Sequence, residues 1–298
     1  MHKTAISQPR LPITWWGLVI RAFVAVFFMF VSNFVRVPLH QVVTREREDA
    51  MGLLSTSGIF MVTPLVAIVL VVLWVRFVEC RPLTAVGLPG WRRILPGLAG
   101  GTAVVALPMT CAWLIARSVG DGGAAAAEGF DSAGMAAAFV VFALVRSYFL
   151  QGIPEELLFR GWLFSTTADR PLFTVGWTTI AFTLPHLLSA GGQESAMDFV
   201  IYLILPLGMG IVGGAVVVWK GSFWWAAGTH GGMHAIMALL GFLLPMELNN
   251  TAIVALGIAN IVTGIVVLGW LRQHPKGEQT FGSESSSPTA VPKSGRGI

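Results

Sequence analysis

The sequence alternates between long apolar runs and short polar segments. An α-helix needs about 20 apolar residues to cross the hydrocarbon core of a bilayer. The runs therefore predict an all-α, polytopic membrane bundle of about eight transmembrane helices, at residues 13–35, 57–78, 94–117, 134–165, 172–190, 197–219, 222–245 and 250–271. The fourth run is too long for one span and contains Pro154, where we expect a break or a kink.

These runs divide the chain into four parts. Residues 1–12 form an N-terminal segment, residues 13–130 hold helices 1 to 3, and residues 131–272 hold helices 4 to 8 as the candidate catalytic core. Residues 273–298 are rich in Ser, Gly and Pro, which predicts a disordered tail. No small-residue cleavage site follows the first run, so we interpret it as a membrane helix rather than a signal peptide.

The composition supports a membrane protein and excludes other classes. The chain is 55% hydrophobic and only 11% charged, whereas soluble domains carry roughly a quarter charged residues. Cys80 and Cys111 are too few for a disulfide framework or a cysteine zinc site. A net charge of +4 does not indicate nucleic-acid binding. We therefore expect membrane lipid as a partner, and no nucleic acid.

The distribution of Lys and Arg predicts the orientation, because cytoplasmic loops are enriched in both. With eight spans the two termini share a side, and the residues that favour a cytoplasmic location for it are Lys3, Arg10, Arg76, Arg81, Arg92, Arg93, Arg170, Lys220, Arg272, Lys276, Lys293 and Arg296. The opposite loops include the acidic segments "GDGGAAAAEGFD" and "GGQESAMD", and only the loop with Arg36, Arg45 and Arg47 departs from the rule. The prediction is a multi-pass protein of the plasma (inner) membrane with both termini cytoplasmic.

Three glycine pairs have the spacing that permits close contact between membrane helices. They are Gly97/Gly101, Gly210/Gly214 and Gly228/Gly232. A Gly-rich membrane chain also contains such pairs by chance, so the sequence leaves their role open.

The segment "QGIPEELLFRGWLF", residues 151–164, puts three charged groups into an apolar run. A charge at the bilayer centre costs about 2.5–3.5 kcal/mol on insertion scales, so each is a functional-site candidate. Glu156 and Arg160 are four residues apart and can pair on one helix face. Glu155 is rotated by about 100° and cannot use the same arginine equally well, which makes it a candidate general base. The alternative is that both glutamates only hold helices together.

Three intramembrane histidines favour a catalytic interpretation. His186 ends "FTLPH" in the fifth run, and His230 and His234 share a helix face in "GTHGGMHA". At 1.5 Å per residue, Glu155 and His230 lie about 13–16 Å from the cytoplasmic ends of their helices, so we expect one cavity reached from the cytoplasm. His230 and His234 also have the spacing of a helical zinc pair, which His186 or Glu155 would complete.

Three segments in this order resemble the motifs of the CPBP intramembrane protease family, the CAAX-prenyl-protease and bacteriocin-processing group also called Abi. "EELLFR" is similar to its Glu-Glu-x-x-x-Arg motif, and "FTLPH" to its Phe-x-x-x-His motif. "GSFWWAAGTHGGMH" resembles its third motif, a Trp-rich helix start followed by His-x-x-x-Asn. The resemblance covers about residues 130 to 245, and this chain has His234 where the family usually has Asn.

The resemblance implies a cytoplasm-facing intramembrane endopeptidase with no metal, whose partner is a membrane-associated or lipid-modified protein or peptide substrate. Glu155 and His186 would hold and activate the attacking water, and Glu156 and Arg160 would brace the site. His230, with the residue at position 234, would stabilise the oxyanion. A zinc-dependent protease that uses the same residues, a non-catalytic scaffold or immunity protein, and a transporter or proton relay are the alternatives. The family label does not identify the substrate or say whether it is prenylated.

Overall fold

The computed structural model describes residues 11–43, 49–88, 90–119, 129–188 and 193–274. These ranges contain helices and no strand, which confirms the all-α prediction. The helices are α1 Trp15–Phe34, α2 Arg36–Val43, α3 Ala50–Phe60, α4 Val62–Phe77, α5 Trp91–Val119, α6 Ala133–Val145, α7 Ile153–Glu156, α8 Pro171–Thr183, α9 Ala196–Tyr202, α10 Ile204–Lys220, α11 Phe223–Leu243 and α12 Asn250–Gln273. The predicted disordered tail lies almost wholly outside the described residues.

These helices form eight segments that correspond to the eight predicted runs. Six segments are long and apolar enough to cross a membrane: Trp15–Val43, Ala50–Phe77, Leu83–Val119, Ala133–Thr166, Ala196–Lys220 and Asn250–Gln273. The other two are α8, which has only 13 residues, and α11, whose apolar sequence is interrupted by His230 and His234. The chain is a multi-pass membrane protein, and the count of eight spans stays a prediction.

Of the two outcomes predicted at Pro154, a break or a kink, the break is wrong, because the backbone stays helical from Ala133 to Thr166. Two π-helical stretches, Arg146–Gly152 and Leu157–Leu163, flank the short helix α7 that contains this proline. The N–H of Ile153 donates to the carbonyl of Tyr148, five residues earlier, rather than four. This wider turn accommodates a residue that lacks an N–H and whose ring crowds the preceding turn. π-turns inside helices frequently occur at functional sites.

One end of the bundle, which we call the terminal end, holds both described ends of the chain. Arg21 donates to the carbonyls of Leu11 and Pro12, which precede α1. The last turn of α12 lies at the end of α10, where the rings of Trp270 and Trp219 are 6.0 Å apart.

Contacts between loops extend the terminal end across the bundle. The side chain of Arg81, after α4, donates to the carbonyl of Ser165 over 2.9 Å. Gly87, before α5, lies against the ring of Phe223 at the start of α11. The terminal end therefore carries the segments around residues 78–90, 165–170 and 220–223.

The opposite end, which we call the distal end, is defined by a separate set of contacts. The side chain of Arg117, near the end of α5, donates to the carbonyl of Pro245 after α11. Asn250, at the start of α12, donates to the carboxylate of Asp198 in α9 over 2.8 Å. The ends of α5 and α11 and the starts of α9 and α12 therefore share this face.

The glycine pairs lie at the tightest helix contacts. A Cβ added at Gly97 would approach the Cβ of Trp224 to 2.5 Å, and one at Gly228 would approach the Gly97 carbonyl to 2.5 Å. A Cβ at Gly101 would meet the backbone of Gly228 at 2.7 Å. The corresponding contact of Gly232 is with Thr102 of α5, and Gly210 and Gly214 contact Thr179 and Val175 of α8. The close-packing interpretation of these pairs is confirmed. Two pairs fix α11 against α5, and the third pair fixes α10 against α8.

We expect Gly101→Ala to lower the free energy of unfolding by about 1–3 kcal/mol, because overpacking a tight contact forces backbones apart. The matched control is Gly269→Ala in α12, where nothing lies within 4 Å of the added Cβ. There the lost backbone freedom of the unfolded chain should stabilise the helix slightly. Thermal unfolding of both variants in detergent measures the difference. Equal midpoints would contradict a structural role for the α5–α11 contact.

Candidate active site

Glu156 is the centre of a buried polar cluster. Its Oε1 accepts hydrogen bonds from Arg160 Nη1 at 3.2 Å and from His230 Nδ1 at 3.0 Å. The exposed fraction is 0% for Glu156 and Arg160 and 4% for His230. The predicted Glu156–Arg160 pair is confirmed. The contact with His230, which joins α7 to α11, was not predicted.

The free side of this cluster faces α10. Glu156 Oε2 and the Nε and Nη2 atoms of Arg160 have no hydrogen-bond partner within the described ranges. The backbone of Gly213 lies beside them, since a Cβ added there would be 3.4 Å from Glu156 Oε2. The guanidinium carbon of Arg160 also lies 4.4 Å from the ring centre of Phe182. A cation–π contact of this kind stabilises a desolvated arginine.

Phe182 connects the cluster to the histidines. It is fully buried, and its ring centre lies 5.3 Å from that of Phe159, 4.9 Å from that of His186 and 5.8 Å from that of His230. The motif residue one turn before His186 thus fixes the positions of Arg160 and both histidine rings.

The hydrogen bond of His186 determines which of its ring nitrogens is free. Its Nδ1 lies 2.9 Å from the Phe182 carbonyl. A carbonyl oxygen only accepts, so Nδ1 carries the proton of this bond. In the neutral ring Nε2 is then an acceptor, able to bind a water O–H.

Glu155 and His186 line one cavity of ≈ 290 Å³. Both side chains are half-buried. Glu155 forms no hydrogen bond or ion pair with any residue that the structure describes, in contrast to Glu156. The remaining lining residues are Pro185 and a group from the end of α1 and the start of α2, namely Met29, Phe30, Asn33, Phe34, Arg36 and Val37.

The contribution of α1 and α2 was missed by sequence reasoning, which assigned the catalytic core to residues 131–272. The only available signal was Arg36, a charge at the end of the first apolar run. Its guanidinium carbon lies 5.5 Å from the ring centre of Phe60, and its Nε is buried with no hydrogen-bond partner among the described residues.

His234 lies one helical turn beyond His230, toward the distal end. Its side chain is half-buried, and the two imidazole ring centres are 5.2 Å apart with a tilt of 38°. The predicted shared face of the two histidines is thus confirmed.

The described residues do not fit a zinc ion. No group of three or more His, Cys, Asp or Glu side chains among them is arranged to hold a metal. His230 Nδ1, one of the atoms that a zinc pair would offer, is bonded to Glu156.

A second buried cluster lies between the site and the terminal end. Glu79 Oε1 accepts hydrogen bonds from Arg21 Nε at 2.7 Å and from the indole N–H groups of Trp162 and Trp74 at 3.2 Å each. The exposed fraction is 0% for Arg21 and 2% for Glu79. Arg21 lies within the first predicted membrane helix, and the sequence alone did not identify its partner. This cluster fixes α1 and α4 against the helix that carries Glu155 and Glu156.

Opposing effects act on the carboxyl of Glu79. Burial by itself would raise the pKa of Glu79, because it disfavours the charged form. The hydrogen bond and positive charge of Arg21, together with the indole N–H groups of Trp162 and Trp74, more than offset burial and lower the pKa below its ordinary value. Glu79 is therefore ionised near neutral pH.

Comparison with known proteins gives one match. No curated protein and no solved structure matches the chain. Residues 137–236, about a third of the chain, match the family model described as type II CAAX prenyl endopeptidase Rce1-like. This segment contains all six candidate residues, from Glu155 to His234, and the match confirms the resemblance to this group of membrane proteases.

Proposed function

We propose that this chain is an intramembrane endopeptidase that cleaves membrane-associated or lipid-modified proteins with a glutamate-activated water. The proposal rests on the different surroundings of the two neighbouring glutamates. Glu156 is fully buried and bonded to Arg160 and His230. Glu155 faces a cavity that it shares with His186. A carboxylate beside an imidazole acceptor, in a space that admits water, can activate that water for attack.

In this mechanism Glu155 is the general base. A water in the cavity donates one hydrogen bond to the Glu155 carboxylate and the other to Nε2 of His186. Glu155 takes a proton as the water oxygen forms a bond to the scissile carbonyl carbon. The same proton passes to the leaving nitrogen when the C–N bond breaks. General acid–base catalysis of this kind contributes about 10²–10⁴-fold to a rate.

His230 and His234 would stabilise the oxyanion that forms on the carbonyl oxygen. The carboxylate of Glu156 accepts a hydrogen bond from the Nδ1–H of His230. In the cationic ring Nε2 also carries a proton, so it can donate to the oxyanion. The charges of Glu155, Glu156, Arg160 and a cationic His230 then sum to zero. Donors placed where negative charge develops often give the largest contribution to catalysis.

An apolar groove next to the catalytic cavity supports a membrane-embedded substrate. It has a volume of ≈ 570 Å³ and lies between α1 and α8, with Phe23 and Trp177 among its lining residues. Pro185 lines both the groove and the catalytic cavity. An apolar segment or lipid chain in the groove would therefore lie next to Glu155 and His186.

A comparison of protein termini tests the function. Membrane fractions from cells that express wild-type protein or Glu155→Gln in equal amounts are analysed by mass spectrometry. We expect new termini, within or next to apolar segments, only with the wild type. Identical sets of termini would contradict the proposal.

We expect His234→Asn to retain cleavage, since an amide N–H replaces the ring donor. His234→Ala should lose about a hundredfold in kcat, the usual effect of removing one oxyanion donor. Initial rates on a peptide that spans an identified cleavage site measure both. Zinc content, determined on the same preparations, tests the zinc alternative, for which His234→Asn would lose metal and activity together. Full activity in His234→Ala would leave this residue without a catalytic role.

A further inference from the structure

Arg36 is a cation in the catalytic cavity without a counterion among the described residues. It lines the cavity together with Glu155 and His186. Its Nε is buried without a hydrogen-bond partner, and its side chain forms no salt bridge within the described ranges. The guanidinium carbon lies 5.5 Å from the ring centre of Phe60. A ring face stabilises a cation by about 0.5–2 kcal/mol, but it does not neutralise the charge.

The two fully buried arginines show how the fold treats this side chain elsewhere. Arg21 is paired with Glu79 at 2.7 Å, and Arg160 with Glu156 at 3.2 Å. Charged groups that are removed from water are normally paired, because an unpaired charge is costly. Arg36 departs from this pattern beside the candidate catalytic residues. An anion bound in the cavity would give Arg36 the partner that the other two arginines have within the chain.

Glu155 does not serve as this anion. Both Glu155 and Arg36 line the cavity, yet they form no ion pair with each other. The Glu155 carboxylate therefore remains available to take a proton from water. The N–H groups of Arg36 remain available to an acid group that comes from outside the chain.

We propose that Arg36 binds a carboxylate of the substrate close to the bond that is cleaved, and thereby determines which segments are cut. This inference rests on the proposed function. The planar guanidinium offers parallel N–H donors that match the two oxygens of a carboxylate. A protein substrate carries carboxylates on Asp and Glu side chains and at its C-terminus, and both sources present the same group to Arg36.

The size of the cavity limits the distance between this carboxylate and the cleaved bond. A roughly spherical space of ≈ 290 Å³ is about 8 Å across, and an extended chain advances about 3.3–3.6 Å per residue. The attacked carbonyl lies beside Glu155 and His186 in the proposed mechanism. A carboxylate that reaches Arg36 across the same cavity is therefore within about three residues of that carbonyl.

The free charge of Arg36 can be tested without proteolysis. In a Cys80→Ser/Cys111→Ser background, Asn33→Cys places one thiol in the cavity wall. Its rates of modification by an anionic sulfonatoethyl and a cationic trimethylammonium methanethiosulfonate are measured in a non-ionic detergent. We expect Arg36→Gln to lower the ratio of the anionic to the cationic rate at least fivefold, because the charge attracts one reagent and repels the other.

The matched control for the labelling is Arg76→Gln, which removes an exposed arginine that does not line the cavity. It should leave the ratio of the two rates as it was. Thermal midpoints of both variants show whether the fold is kept. An unchanged ratio in folded Arg36→Gln would overturn the proposal, because the cavity would then hold no free positive charge from this residue.

Peptide kinetics test the role in specificity and identify the source of the carboxylate. A peptide that spans an identified cleavage site is compared with three altered forms. One has Asn or Gln in place of each Asp or Glu within three residues of the site, one has a C-terminal amide, and one has both changes. We expect one of the two single changes to lower kcat/KM about 10–100-fold, the usual range for a hydrogen bond to a charged group. The change that has this effect identifies the source.

The variants of Arg36 must follow the same division. Arg36→Gln should lose about 10–100-fold in kcat/KM on the unaltered peptide, mainly through KM, and at most about threefold on the form with both changes. Arg36→Lys, which keeps the charge but not the parallel donors, should retain part of the discrimination. An equal loss on the two peptides would overturn the proposal, because Arg36 would then act on the fold or on Glu155. Identified cleavage sites without a carboxylate within three residues would overturn it as well.

The two proposals fail separately, because the labelling does not depend on proteolysis. Labelling that responds to Arg36 as expected, in a chain that changes no protein termini, would contradict the proposed function and leave the anion site in place. Proteolysis that does not distinguish the charged from the neutral peptides would contradict the role of Arg36 alone.

Discussion

Glu155→Gln is expected to lower kcat on a peptide substrate by about 10²–10⁴-fold, the contribution of a positioned general base. The amide has the volume of the carboxylate but cannot take a proton from the attacking water. Glu155 makes no hydrogen bond to another described residue, so the substitution removes no contact that holds the helices together. The thermal midpoint in detergent should therefore stay close to that of the wild type. Initial rates and unfolding curves on one preparation measure both quantities.

Two variants give this experiment its controls. Glu156→Gln removes the partner of Arg160 and His230, so we expect it to lose both activity and stability. Glu247→Gln changes an exposed carboxylate that does not line the cavity, and both properties should remain at the wild-type level. Normal cleavage by Glu155→Gln would show that another group is the base. A large loss of stability in that variant would indicate a structural role.

Patterns within one helix could be predicted from the sequence. The Glu156–Arg160 pair follows from a spacing of four residues, which places two side chains on one face of a helix. The same rule places His230 and His234 together. The eight helical segments correspond to apolar runs, six of which are long and apolar enough to cross a membrane. Each of these predictions depends on positions near one another in the chain.

Contacts between helices could not be predicted in this way. Glu156 and His230 are 74 residues apart, and Arg21 and Glu79 are 58 residues apart. Hydrophobic periodicity identifies the face of a helix but not the neighbour that this face contacts. Here the neighbours and their relative heights depend on glycine contacts such as Gly101–Gly228. A charge such as Arg21 inside an apolar run needs a buried partner, but its position in the sequence does not show which acid supplies it.

Glu79→Gln is expected to lower the free energy of unfolding by about 3–5 kcal/mol near neutral pH, because it leaves Arg21 as a buried charge without its counterion. The two indole N–H groups of Trp74 and Trp162 also lose their charged acceptor. The matched control is Asp169→Asn, which removes the partner of Arg170 in an exposed pair at the same end of the bundle, where the N–O distance is 3.7 Å. Exposed pairs contribute about 0–1 kcal/mol, so that variant should unfold close to the wild type.

The pH dependence gives this prediction a second readout. The folded-state pKa of Glu79 is lowered, so its ionised form stabilises the fold fully above the unfolded pKa of a glutamate, about 4.3. This stabilisation is lost as the pH falls from there through the lower, folded-state pKa. The difference in stability between wild type and Glu79→Gln should therefore be constant from neutral pH to about pH 5 and shrink below it. Unfolding in detergent across this range measures the difference. If the difference were unchanged at low pH, the energy of the cluster would come from packing around Trp74 and Trp162 rather than from the Arg21–Glu79 ion pair.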